Sequence, residues 1–311
     1  MNPAGVPARG LPRRRCLGLL AAAPAVLAAG CGTRAAIMAG ERVVPSEAGG
    51  TSGVPAWVLA RPALAQAAAN ATVRTGLSRL RVYELLQPGQ QPRQLAGSVP
   101  AVAFASAAEL AAAVRDGQLP GGTEAVLYDP EAWTFTPPGE QRDPVAAAER
   151  AAAAAHDRGL QLIVAPGVNL VTVLAPAGAG PRWRRLLDLG LLARLAARAD
   201  VIVIQAQSLE RDAADYAAFV TAAARQARQA SRRVGLLAGL STNPPGSPVT
   251  ARQLLAAFLA TRSVVDGFWL NIPAPGPQCP TCNPVRPDIG IDTLLAALHD
   301  SSGPAVSPSA G

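Results

Sequence analysis

Two acids one residue apart, Asp129 and Glu131, flank Pro130 in the run Tyr128-Asp129-Pro130-Glu131-Ala132-Trp133. If the proline turn aims both carboxyl groups at one point, they form the pair that acid–base hydrolysis of a glycosidic bond requires, about 5–9.5 Å apart. The same residues also read as a capped short turn, with Asp129 as N-cap, Pro130 at the first position and Glu131 near the positive end. Farther along stand Gln205, Gln207, Trp269 and Asn271. Amides meet hydroxyl groups as donor and acceptor at once, and an indole face covers the apolar side of a sugar, so these four are candidate substrate contacts. Asn169 and the stretch from Ser241 to Asn243 are further polar candidates.

The composition removes several chemistries. All 28 basic residues are Arg, which excludes Schiff-base, pyridoxal-phosphate and P-loop mechanisms, each of which needs a lysine amine. With two histidines, His156 and His299, a three-histidine zinc site is impossible, and both read as surface helix residues. Ser241 lacks the G-x-S-x-G elbow of a serine hydrolase. No metal or cofactor is called for. Cys279-Pro280-Thr281-Cys282 reads as a small loop disulfide, because Pro284 and Pro287 argue against the helix that a redox-active pair would open.

These candidates need a scaffold. Apolar runs at 101–105, 125–129, 160–165, 201–205, 234–240 and 268–272 are each followed by an Ala- or Leu-rich helical pattern. The helices start on recognisable caps: a capping box at Ser106 to Glu109, Asp143 before Pro144, Asp212, a second capping box at Thr250 to Gln253, and Asp292. One continuous helix is expected over 182–199, and an earlier unit over 63–75 and 80–85. Strands alternating with helices pair in parallel with right-handed crossovers. Seven or eight units match a (β/α)8 barrel, and an open doubly wound sheet is the alternative, although no strand leads into a G-x-G-x-x-G turn. In a barrel, the polar residues at the carboxyl ends of the strands would share one mouth.

The run from Tyr128 to Trp133, together with the layout over 100–299, resembles glycoside-hydrolase-type (β/α) barrels. The resemblance implies action on carbohydrate, with Asp129 and Glu131 as the catalytic acids. The other strand ends carry amides or hydroxyls where a second acid would be expected, so a non-catalytic glycan-binding protein on the same scaffold stands beside that reading.

The first 30 residues read as an export signal: Arg13-Arg14-Arg15, then an uncharged stretch from Cys16 to Gly30 too short to span a bilayer comfortably. Leu27-Ala28-Ala29-Gly30-Cys31 resembles the bacterial lipobox, which implies cleavage before Cys31 and a lipid anchor on its thiol. An ordinary signal cut near Ala29 or Gly30, giving a secreted protein, is the alternative. Arg13-Arg14-Arg15-Cys16-Leu17 also resembles a twin-Arg signal. The expected order is then a flexible tether over 31–53, one barrel domain over 54–300 and a frayed tail over 301–311. Removing residues 1–30 lowers the net charge from +7 to +3, which takes away most support for nucleic-acid binding. The expected partners are a membrane, through the anchor, and a glycan.

Overall fold

The computed structural model describes residues 56–301, apart from 93, 94, 96, 245–247, 278 and the side chain of Ser301. The export signal, Cys31, the tether and the tail beyond 301 lie outside the described residues.

Eight parallel strands close into a barrel in chain order, with the last pairing back onto the first. They are β1 (Ala56–Ala60), β2 (Val82–Leu86), β3 (Ser98–Phe104), β4 (Ala125–Tyr128), β5 (Gln161–Val164), β6 (Val201–Ile204), β7 (Gly235–Ser241) and β8 (Gly267–Asn271). Closure excludes the open sheet. The helices are α1 (Arg61–Ala69), α2 (Ala71–Leu77), α3 (Ala107–Arg115), α4 (Pro138–Arg142), α5 (Pro144–His156), α6 (Val171–Leu174), α7 (Arg182–Asp188), α8 (Leu191–Ala196), α9 (Ala213–Ala230), α10 (Ala251–Thr261) and α11 (Pro287–Ser301).

Several expectations are corrected. The helical stretch at 63–75 is two helices, because the Asn70 side chain accepts from the N–H groups of Thr72 and Val73 and starts α2 afresh. β2 reaches β3 through 87–97 with no helix among the described residues. The single helix over 182–199 is broken at Gly190, whose φ of 61° is left-handed and ends α7 before α8 begins. α11 starts at Pro287, so Asp292 lies inside it and is not its cap. At α3, Ser106 does cap Glu109 N–H, but the N–H groups of Ala107 and Ala108 are taken by Glu140, a residue from another helix. The box at Thr250 and Gln253 forms in both directions.

Strand alternation sorts the core into two layers. Val58, Leu85, Leu127, Ile163, Val203 and Leu237 fill the barrel interior. The opposite faces pack on the helices, where Trp57, Phe258 and Phe268 cluster with ring centroids 4.8–6.2 Å apart. The alanines of α5, four of them fully buried at 147, 148, 151 and 155, let the helix sit close on the sheet.

Candidate functional site

β4 carries the first acid to the mouth. Asp129 continues the ladder past Tyr128 by donating its N–H to Phe104 O at 2.9 Å, so its side chain points inward like Leu127 and Ala125 two and four residues before. Gln205 holds the same place after β6, in phase with the inward Val203. Its Nε2 donates to Asp129 Oδ1 and to Ala165 O, both at 2.7 Å, which ties the ends of β4, β5 and β6 together.

Glu131 is placed by a knot of loop contacts. Its N–H donates to Thr136 Oγ1 at 3.2 Å, and Trp133 Nε1 donates to the same oxygen at 2.8 Å. Asn169 clamps the turn from across the next loop: its Nδ2 donates to Glu131 Oε2 at 2.9 Å, and its Oδ1 accepts from Ala132 N–H at 3.0 Å. Gly167 makes room, since a Cβ there would lie 2.6 Å from Glu131 Cγ. No helix starts at Pro130; the next begins at Pro138. The cap reading of Asp129 and Glu131 is therefore overturned, because the Asp129 carboxyl accepts from the Gln205 amide and the Glu131 carboxyl from the Asn169 amide.

Burial raises both acids above the usual carboxylate range. For Asp129 the shift is large, with the neighbouring Glu131 adding to it and the Gln205 hydrogen bond opposing it. For Glu131, hydrogen bonds from Asn169 and Gln205 oppose the effect of burial.

The other candidates converge here too. Asp129, Glu131, Gln205, Gln207, Trp269 and Asn271 all line one cavity of about 1240 Å3 at the carboxyl ends of the strands. Gln207 arrives by a route that strand alternation does not describe, for β6 stops at Ile204 and Gln207 opens a 3-10 turn. Its amide lies over Gly239, where a Cβ would fall 2.5 Å from Nε2. Trp269 and Asn271 share the inner face of β8, and Trp269 is 9% exposed within the interior cluster. Cys279 and Cys282 form the expected disulfide, with Cα atoms 5.4 Å apart, in the loop after β8 that walls the cavity.

Several residues near the site carry no signal in the sequence. Phe135 packs edge-on against Trp133 at 5.2 Å and is 43% exposed on the cavity rim. Trp183 on α7 lines the far rim beneath the Arg184 guanidinium, 4.9 Å from its ring. Glu210 is fully buried, accepts Ser241 N–H at 2.5 Å on one oxygen, and is pushed well up by burial. Glu140 is also buried, and it accepts from Ser106 Oγ, Ala107 N, Ala108 N and Tyr128 Oη. Neither glutamate sits in a periodic apolar pattern, so only the fold could reveal them. Both histidines lie away from the cavity: His156 pairs with Asp200 Oδ2 at 2.9 Å, and His299 is exposed on α11.

Strand pairing and the inward polar residues together define a (β/α)8 barrel with an acid–amide cluster in its carboxyl-end mouth. No protein-family model and no curated protein sequence matches the chain. Among solved structures it is similar to a putative alpha-L-fucosidase from Bacteroides thetaiotaomicron, at 9% identity over 73% of this chain and 86% of that one, with a TM-score of 0.44. A triosephosphate isomerase from Bartonella henselae matches at 11% identity over 79% and 99%, with a TM-score of 0.42. A chitinase from Chromobacterium violaceum matches at 14% over 80% and 99%, with a TM-score of 0.41. The fold assignment rests on the closed strand ladder, and the functional reading on the cavity.

Proposed function

We propose that the barrel mouth binds a glycan and hydrolyses it, with Asp129 and Glu131 as the reacting acids. The observation that carries this reading is the half-buried acid pair, opposed to an indole and surrounded by amides in one cavity. The protonated member donates to the leaving glycosidic oxygen while the ionised one activates water or attacks the sugar carbon. Gln205 keeps the pair oriented, and Gln207 and Asn271 meet ring hydroxyls. The companion proposal is that the chain is exported and held on a membrane by a lipid on Cys31, which would bring the mouth to envelope polysaccharide. A chain isolated from its host with residue 1 intact, or with an unmodified Cys31, would remove the anchor.

One observation favours a binding role without turnover: Ser241, Asn271 and Gln205 place hydroxyl or amide groups, not acids, at the other polar strand ends. A panel of cell-wall polysaccharides decides between the two. Release of new reducing ends, lost in Asp129→Asn and Glu131→Gln, supports hydrolysis. Saturable binding with no release, unchanged in both variants, supports the binding role.

A further inference from the structure

The aromatic residues of this chain are few and unevenly placed. Three of its four tryptophans, Trp133, Trp183 and Trp269, line the cavity, and Phe135 joins them on the rim. Most of these rings are already covered. Trp269 is buried in the interior cluster, Trp133 is half-buried with its indole N–H on Thr136 Oγ1, and Trp183 packs against both the Arg184 guanidinium and Phe219, at 4.9 and 5.8 Å. Phe135 is the exposed one. A single exposed apolar side chain is ordinary on a protein surface, and Leu259, on α10 outside the cavity, is another.

Phe135 differs in how it is held. The next residue, Thr136, is fully buried, and its Oγ1 accepts from Trp133 Nε1–H and from the N–H of Glu131. Gln141 Nε2 donates to Trp133 O and Thr136 O, both at 2.7 Å, which pins the backbone on either side of Phe135. The knot that positions the proposed acid therefore also holds an apolar ring in water, and the four-residue step from Glu131 keeps their Cα atoms within about 14 Å. A ring fixed in this way spares a ligand the cost of ordering it, and it suits the apolar face of a unit that continues out of the cavity. The cavity itself, about 1240 Å3, exceeds the about 300–1,000 Å3 of ordinary small-molecule sites, and one sugar ring fills a small part of it. We infer that Phe135, braced edge-on by Trp133, is an outer subsite for a further sugar unit, so that the ligand is an oligosaccharide or polysaccharide chain and not a free monosaccharide. This rests on the glycan reading above and narrows it to chains of several units.

The test is calorimetric titration of the full chain with ladders of one to six sugar units cut from cellulose, chitin, xylan and polygalacturonate. In a ladder that binds, the hexamer should bind at least about 100-fold more tightly than the monomer. Phe135→Ala should lower that ratio about 10-fold, the worth of one lost ring contact. Leu259→Ala removes a similarly exposed side chain outside the cavity and should leave the ratio within about 2-fold. Thermal unfolding checks that Phe135→Ala keeps its fold, and the wild-type comparison along the ladder stands without it. A monomer that binds as tightly as the hexamer would overturn this inference and leave the glycan reading in place. A length dependence that Phe135→Ala does not change would overturn it as well, since the further units would then lie elsewhere. No binding of any ladder would remove both.

Discussion

The two ends of the barrel treat their polar groups in opposite ways. At the amino end, Arg81 Nε donates to Tyr83 Oη at 2.9 Å, Tyr83 Oη donates to Gln161 Oε1 at 3.0 Å, and Arg81 reaches the same oxygen at 2.8 Å. Aspartates just before two strands stitch the rim: Asp200 accepts Leu162 N–H and Asp266 accepts Leu236 N–H, at 2.7 and 2.8 Å. Each of those aspartates also meets a basic side chain, His156 or Arg228. At the carboxyl end, two half-buried acids line one cavity, and Thr242, Asn243, Trp269 and Glu210 keep buried polar atoms without partners. The floor is a finished structure, whereas the mouth carries unmet hydrogen-bonding capacity that packing alone would have removed. Burial of an acid is therefore not the mark of the site. Glu140 is more buried than Asp129, but four donors converge on it, and its work is to hold α3 and α4 together.

The largest effect that would break this contrast is catalytic. Asp129→Asn and Glu131→Gln should each lower the rate of glycan hydrolysis by about 10²–10⁴-fold, the usual contribution of a positioned acid or base. Retained rate in both variants would make the mouth a binding surface only. The same substitutions should have a pH signature in stability. Burial raises Asp129 above its unfolded value of about 3.9, so its contribution to stability is full below that pH and is lost as pH rises through the folded value. Thermal unfolding of Asp129→Asn against wild type should show an advantage for the variant that grows as pH is raised from about 4 toward neutrality. An advantage that shrinks over that range would mean that the carboxylate, and not the acid, is the favoured form.

Next in size is Gly167→Ala. The backbone φ of −67° accepts any residue, but the new methyl would press on Glu131 Cγ and Asn169 Oδ1 at 2.6 and 2.7 Å. The carboxyl must shift, and a small misplacement of a reacting group is worth up to about 10²-fold. Hydrolysis should fall about 10–100-fold with thermal stability little changed, and an unaltered rate would show that Glu131 need not sit where it does. This contact could not be read from the sequence, because Gly167 and Glu131 lie 36 positions apart in loops without periodicity. Seven of the strands were legible because apolar runs alternating with helical patterns repeat along the chain, and the barrel was favoured on the number of units; β1 (Ala56–Ala60) was not among them. Asp129, Gln205, Trp269 and Asn271 were legible because strand alternation carries over to the first residue past a strand. Gln207 reached the cavity for another reason, a 3-10 turn that period two cannot see. Glu210 and Glu140 were invisible, since an acid's burial is decided by which distant N–H groups the fold brings to it.

The smallest predicted effect sharpens the comparison most directly, because it places one hydroxyl deletion at each end. Tyr83 is 3% exposed, and its hydroxyl both accepts from Arg81 and donates to Gln161. Tyr83→Phe removes those bonds and leaves Gln161 Oε1 with Arg81 alone, which should cost about 0.5–1.5 kcal/mol. Thr242 is fully buried at the carboxyl end of the barrel, on the face toward α11, and its Oγ1 has no partner. Thr242→Val keeps the shape and deletes only the unpaired hydroxyl, so it should stabilise by about 1 kcal/mol. In a domain of this size each kcal/mol moves the melting temperature by about 2–4 °C. The two variants should therefore shift in opposite directions, downward for Tyr83→Phe and upward for Thr242→Val. If Thr242→Val is destabilising by as much as Tyr83→Phe, the carboxyl-end hydroxyl has a partner in solution, and the two ends do not differ in the way their hydrogen bonding indicates.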